Sequence, residues 1–155
     1  MIKNRIKIFI DLIAERNTSQ IYASELKTPE DEYDDEFMGE IKDMEACGFI
    51  NAYNLTNSSN SRISLTSKGA FYGKEFIENY EKLFNEVVAL IRLENFSSNR
   101  DVIISQKLEV PTVFVGAVFE DLCNQNLVKI KQGASGLYIY KFTDRGTDYF
   151  SNLEK

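Results

Sequence analysis

Seven carboxylates fall within Pro29–Glu40, at Glu30, Asp31, Glu32, Asp34, Asp35, Glu36 and Glu40, with no Lys or Arg among them. Carboxylates this crowded can exchange a proton, ligate a cation or present negative charge to a basic partner. The run lacks the Asp-x-Asp-x-Asp-Gly spacing of a calcium loop. The chain has no histidine, so the commonest general base and metal ligand is missing. It also has no glycine loop followed by Lys-Ser/Thr, no paired cysteine spacing and no nucleophile elbow. The sequence therefore reads as non-enzymatic, with no cofactor and no metal, and the acidic run reads as a surface for a partner.

A second group has the opposite sign. Lys129, Lys131, Lys141 and Arg145 cluster with Tyr138 and Tyr140 around the loop Gln132-Gly133-Ala134-Ser135-Gly136. Cations contact phosphates and aromatic rings stack on bases, so this is the nucleic-acid-binding candidate. Strict strand alternation places Leu137, Ile139 and Lys141 on one face and Tyr138, Tyr140 and Phe142 on the other.

The elements that must position these groups repeat. The chain matches itself at an offset of 78 residues: Ile2, Ile6, Phe9, Ile10, Leu12 and Ile13 correspond to Tyr80, Phe84, Val87, Val88, Leu90 and Ile91. Phe37, Ile41, Met44, Phe49 and Ile50 likewise correspond to Val115, Phe119, Leu122, Leu127 and Val128. At an offset of 77, Leu65-Thr66-Ser67-Lys68-Gly69 matches Phe142-Thr143-Asp144-Arg145-Gly146. Shared order and spacing point to duplication of one supersecondary unit.

In the first unit the spacing predicts an amphipathic helix over 2–16, a short helix over 19–27 capped by Thr18 or Ser19, and a third helix opened by Pro29 and stopped by Gly48. A hairpin follows, from Phe49–Leu55 and Arg62–Thr66 around a polar loop. The second unit repeats this with helices over 80–95, 99–107 and 111–126, and strands over 127–131 and 137–143. Proline is absent from Ser67 to Asn95, which predicts one long connecting helix with Gly73 as its weakest point. The expected fold is α+β and mostly α: two helix-helix-helix-wing units, a tandem winged helix, over residues 1–76 and 77–155.

Helical geometry then sorts the third helices. With Phe37, Ile41 and Met44 facing the core, Glu32, Asp35, Gly39, Lys42 and Asp43 point outward where a winged helix reads DNA. Carboxylates there repel phosphates. In the second unit Val115, Val118, Phe119 and Leu122 form the core stripe, leaving Thr112, Val113, Gly116, Ala117 and Glu120 outside. That small, nearly uncharged face suits either burial against the first unit and the connecting helix, or dimerisation and docking of a partner.

Charge agrees with this division. The net charge is -6 and the pI about 4.8, without the global basic footprint of a nucleic-acid binder. Residues 1–78 carry nine basic and fourteen acidic side chains, net -5, against nine and ten in residues 79–155, net -1. No stretch has the apolar length of a membrane span and the basic start has no signal-peptide core, so a cytoplasmic protein is expected. Cys47 and Cys123 stand far apart, which suits two buried thiols in a reducing compartment better than a disulfide.

Three segments carry a resemblance: Thr28-Pro29-Glu30-Asp31-Glu32-Tyr33-Asp34-Asp35, Ile41-Lys42-Asp43-Met44-Glu45-Ala46-Cys47-Gly48-Phe49-Ile50, and Leu65-Thr66-Ser67-Lys68-Gly69-Ala70-Phe71-Tyr72. Together they resemble the YjcQ-like family of small bacterial and prophage winged-helix proteins, over about the first 75 residues. The resemblance implies the fold and a bacterial or phage source, and no activity. The second unit keeps only the Thr-x-Arg-Gly element.

Two functions follow as expectations. The first is a regulator of phage or mobile-element type that binds a protein partner through Glu32, Asp34, Asp35, Glu36 and Gly39, and through Val113, Gly116 and Ala117. An inhibitor of anti-CRISPR or anti-repressor kind fits it. The alternative is a dimeric DNA-binding transcriptional regulator that contacts DNA through Lys129, Lys131, Tyr138, Tyr140, Lys141 and Arg145.

Overall fold

A computed structural model describes residues 2–53 and 61–153. In chain order these form α1 (Ile2–Arg16), β1 (Gln20–Tyr22), a 3-10 turn (Ala23–Leu26), α2 (Asp34–Ala46), β2 (Ile50–Tyr53), β3 (Arg62–Leu65) and α3 (Ser67–Tyr72). A 3-10 turn (Lys74–Phe76) leads to α4 (Tyr80–Leu90), another (Phe96–Ser98) to α5 (Asp101–Leu108), and then come α6 (Thr112–Asn124), β4 (Val128–Gly133), β5 (Gly136–Phe142) and α7 (Asp144–Leu153). The fold is α+β and mostly helical. Its two small sheets are antiparallel, ordered β1-β3-β2 and β4-β5.

The order of elements repeats. Helices α2 and α6 have 13 residues each and start 78 positions apart, at Asp34 and Thr112. Each is followed by a left-handed residue two positions before its hairpin, Gly48 at φ 79° and Asn126 at φ 61°. The shared Thr-x-Lys/Arg-Gly motif has one cause in both places. Thr66 Oγ1 accepts from Gly69 N at 3.0 Å and donates to Gly48 O at 2.6 Å. Thr143 Oγ1 accepts from Gly146 N at 2.9 Å and donates to Asn126 O at 2.7 Å. The threonine thus caps the helix after the hairpin and ties it to the exit of the helix before it. The glycine is needed for closeness: a Cβ on Gly69 would lie 2.2 Å from Phe49 O, and one on Gly146 1.7 Å from Leu127 O.

One continuous core runs through both halves. Ile6, Phe9, Ile10 and Ile13 of α1 and Phe37, Ile41 and Met44 of α2 are buried, as are Val115, Val118, Phe119 and Leu122 of α6. Helix α3 lies against α6, close enough that a Cβ on Gly116 would sit 2.8 Å from Ser67 Cβ. Ser67 Oγ donates to Glu120 Oε1 at 3.1 Å across this joint. Nearby, the buried Asp121 accepts from Tyr80 Oη at 2.7 Å, Lys74 Nζ at 3.3 Å and Gln125 Nε2 at 3.0 Å. Burial, and then Asp121, push the Tyr80 phenol up.

Several expectations are corrected. Residues 19–27 are a strand and a 3-10 turn, because Ile21 and Tyr22 pair with Ile63 and Arg62. The third helix opens at Asp34 behind Tyr33, not at Pro29. Asp31 accepts from Thr28 N at 2.8 Å and from Arg5, which fixes a turn where a helix would have to start. The long connecting helix is broken. Helix α3 ends at Gly73, whose missing side chain admits α1 (a Cβ would lie 2.4 Å from Ile6 Cγ2), and Asn79 turns left-handed before α4. The second hairpin turns through Ala134 and Ser135 alone, since Gly133 and Gly136 still pair. Cys47 and Cys123 are exposed, free thiols. Positions 54–60 of the expected first wing lie outside the described residues.

Candidate interaction surfaces

The acidic run divides into an inward and an outward set. The inward set closes on Arg5 of α1, which is 4% exposed. Its guanidinium donates to both oxygens of Asp31 at 2.7 and 2.6 Å, to Glu40 at 3.3 and 3.1 Å, and to Leu26 O at 3.0 Å. It also lies over the Phe37 ring. The Arg5 hydrogen bonds hold the Asp31 carboxyl well below the usual range. Asp34 pairs with Lys27. Asp31 and Glu40 therefore anchor α2, while Asp34 stays exposed beside Lys27.

Glu30, Glu32, Asp35, Glu36, Asp43 and Glu45 remain exposed, with Lys42 among them. Asp34, Asp35 and Glu36 form the first turn of α2, where the helix dipole favours negative charge. Gly39 is exposed, with open space where a side chain would be. Glu32 precedes the helix and so is not one of its outward positions. The expected acidic face exists, built by Asp35, Glu36 and Asp43 and flanked by Glu32.

The small face of α6 is not a free surface. Gly116 and Ala117 are buried and Val113 is partly buried, because α3 occupies this side. The expectation of partner binding through these residues is corrected: they make the joint within the chain. The signal for α3 was the Thr-x-Lys-Gly motif, which caps a helix as well as closing a hairpin.

The second hairpin brings its candidates together by an irregularity. Lys129 pairs with Lys141 and Ile130 with Ile139, so Tyr140 is an extra residue, a β-bulge. Alternation changes phase there. Leu137 and Ile139 face the core before the bulge and Phe142, opposite the buried Val128, after it. Lys129, Lys131, Tyr138, Tyr140 and Lys141 consequently share the outer face, which corrects the strict alternation that separated Lys141 from the tyrosines. Arg145 stands apart from them, exposed in the first turn of α7. No carboxylate lies on either strand.

A further group was missed because β1 was read as a helix. Register places Tyr22 beside Arg62 and Arg62 beside Tyr53, a row across the outer face of the three-stranded sheet. Tyr22 is 46% and Tyr53 51% exposed. Gln20, Ile21 and Tyr22 alternate in burial, but three residues are too few for a period-2 pattern to show in the sequence.

Among the described residues no group of His, Cys, Asp and Glu is arranged to hold a metal ion, and no helix is long and apolar enough to cross a membrane. An open cleft of about 1200 Å³ lies between α4, the loop after it and α7. No reactive constellation converges there, and Arg92 turns its guanidinium to the carbonyls of Ala89 and Ile91. No known protein family, curated protein or solved structure matches the chain.

Proposed function

We propose that this is a tandem winged-helix protein of the YjcQ-like kind, with units at 1–76 and 77–155, that acts without catalysis by binding another protein through the acidic edge of α2. A regulator or inhibitor encoded by a phage or mobile element, directed at a basic, nucleic-acid-binding target, fits this reading. One observation carries it: Asp35, Glu36 and Asp43 stay exposed on a helix that Arg5 fixes firmly to α1. A rigid, negatively charged edge repels phosphate and attracts a basic protein surface, chiefly by speeding encounter and excluding wrong partners.

The test uses the whole chain as bait in a bacterial host lysate, beside a variant with Asp35→Lys and Glu36→Lys. The expected outcome is a salt-sensitive partner that the reversed variant no longer retains, with the variant's melting temperature nearly unchanged. Equal retention by both baits refutes the reading.

A second reading is favoured by the bulge at Tyr140: a transcriptional regulator that binds DNA as a dimer through the outer face of β4 and β5. Its signature is duplex binding that weakens steeply with salt and is abolished by Lys129→Glu with Lys131→Glu.

A further inference from the structure

The row Tyr22–Arg62–Tyr53 has a counterpart in the second sheet. Tyr138 of β5 pairs with Lys131 of β4 on one side and bridges to Arg100 on the other. Arg100 and Lys131 lie 78 residues after Tyr22 and Tyr53, and Tyr138 lies 76 after Arg62, a difference of two that the bulge at Tyr140 restores to 77 by Phe142. The same lateral row of both sheets therefore alternates cations with aromatic rings, in inverted order: ring, cation, ring in the first and cation, ring, cation in the second.

We infer that the outer face of β1, β3 and β2 is a binding platform for single-stranded nucleic acid. Bases would stack on Tyr22 and Tyr53, and the Arg62 guanidinium would meet the phosphate between them. The chemistry is specific in three respects. Tyr22 and Tyr53 are about half exposed, and the face of a base is free to stack on such rings only when the base is unpaired. Arg62 approaches the Tyr22 ring at 5.5 Å and donates to its hydroxyl at 3.4 Å, and it has no ion pair among the described residues, so its charge is available to an anion. The three strands carry no carboxylate, and the adjacent Glu25 is taken up by Arg16 and Tyr22 N. Duplex reading through the third helices has no comparable support, since the first turn of α2 is acidic and α6 is buried against α3. This inference stands independently of the acidic-edge reading, because the two surfaces share no residue.

The test is fluorescence anisotropy of the full chain with a short oligodeoxythymidine carrying 5-iodouracil, followed by photo-crosslinking and peptide mapping. Saturable binding is expected, with adducts at Tyr22 or Tyr53 and much weaker binding to a duplex of equal length. Replacing Tyr22→Ala with Tyr53→Ala should weaken binding about tenfold or more, through loss of the rings on which the bases stack. Tyr22→Phe with Tyr53→Phe, which keeps the rings, should stay within about threefold. Absent binding, adducts confined to Tyr138 and Tyr140, duplex bound as well as the single strand, or an alanine pair that folds and binds normally would each overturn the inference. Should the alanine pair fail to fold, adduct position in the native chain decides. The variant with Asp35→Lys and Glu36→Lys should still bind the oligonucleotide, which separates failure here from failure of the protein-binding reading.

Discussion

Arg5 is the residue on which the acidic helix depends. A guanidinium with 5% of its side chain exposed, bonded to two carboxylates and a carbonyl, is stable only while those partners remain. Arg5→Ala leaves Asp31 and Glu40 facing each other without their cation, and should cost roughly 3–5 kcal/mol, read as a fall in melting temperature of about 2–4 °C per kcal/mol. The pH dependence has a definite sign. Arg5 depresses the Asp31 pKa in the folded state, so the pair's contribution is fully present above the unfolded carboxylate value, about 3.9. It is lost progressively as pH falls below that value towards the folded one. Melting curves between pH 6 and 2 should therefore fall more steeply for the native chain than for Asp31→Asn, which lacks this titration. Parallel curves would show that the pair contributes little.

At the scale of elements, the Thr-x-Lys/Arg-Gly motif makes paired forecasts. Gly69→Ala and Gly146→Ala each force a methyl into a backbone carbonyl, and each should destabilise by roughly 1–3 kcal/mol or more. Thr66→Val and Thr143→Val should each cost about 1 kcal/mol through the lost cap. The bulge makes a less obvious one. Deleting Tyr140 leaves Lys141 opposite Lys129 and Phe142 opposite Val128, so the hairpin becomes regular with its faces unchanged. The deletion should fold and melt above Phe142→Ala, which strips a ring packed on Phe96 and Phe150. A deletion that melts below Phe142→Ala would mean the bulge itself is required. These elements also mark what could be read in advance. Phe37, Ile41 and Met44 were legible because a 3.6-residue period survives any tertiary setting, and Gly48 because a helix exit needs a left-handed residue. Strand β1 was not legible, since three residues carry too little periodicity and the partner that makes them a strand lies some forty positions on, at Arg62 and Ile63. The bulge was invisible because it is defined by register against β4 rather than by the residues of β5. For the outer face of α6, burial against the first unit stood beside docking of a partner, and composition alone did not choose between them.

The whole molecule carries opposite charges on separate surfaces, acid on α2 and cations with rings on the strands, and its two halves share one core. The joint between α3 and α6 is what unites them. Gly116 allows the approach to Ser67, Ala117 and Val118 are buried beside it, and the Asp121 cluster ties Lys74 and Tyr80 of the connecting segment to α6. A core continuous across this joint predicts a single cooperative unfolding transition, with helical and aromatic circular dichroism melting together. Gly116→Val puts bulk where even a Cβ would stand 2.8 Å from Ser67. It should cost roughly 1–3 kcal/mol and, because the damage is confined to the joint, pull the two dichroism melts apart. Tyr80→Phe leaves Asp121 with one donor fewer and should cost about 1–3 kcal/mol without separating the melts, since the packing of α3 on α6 survives. If Gly116→Val lowers the midpoint yet the melts still coincide, the halves are coupled through α1 and the connecting segment instead, where Gly73 packs against Ile6 and Ile10.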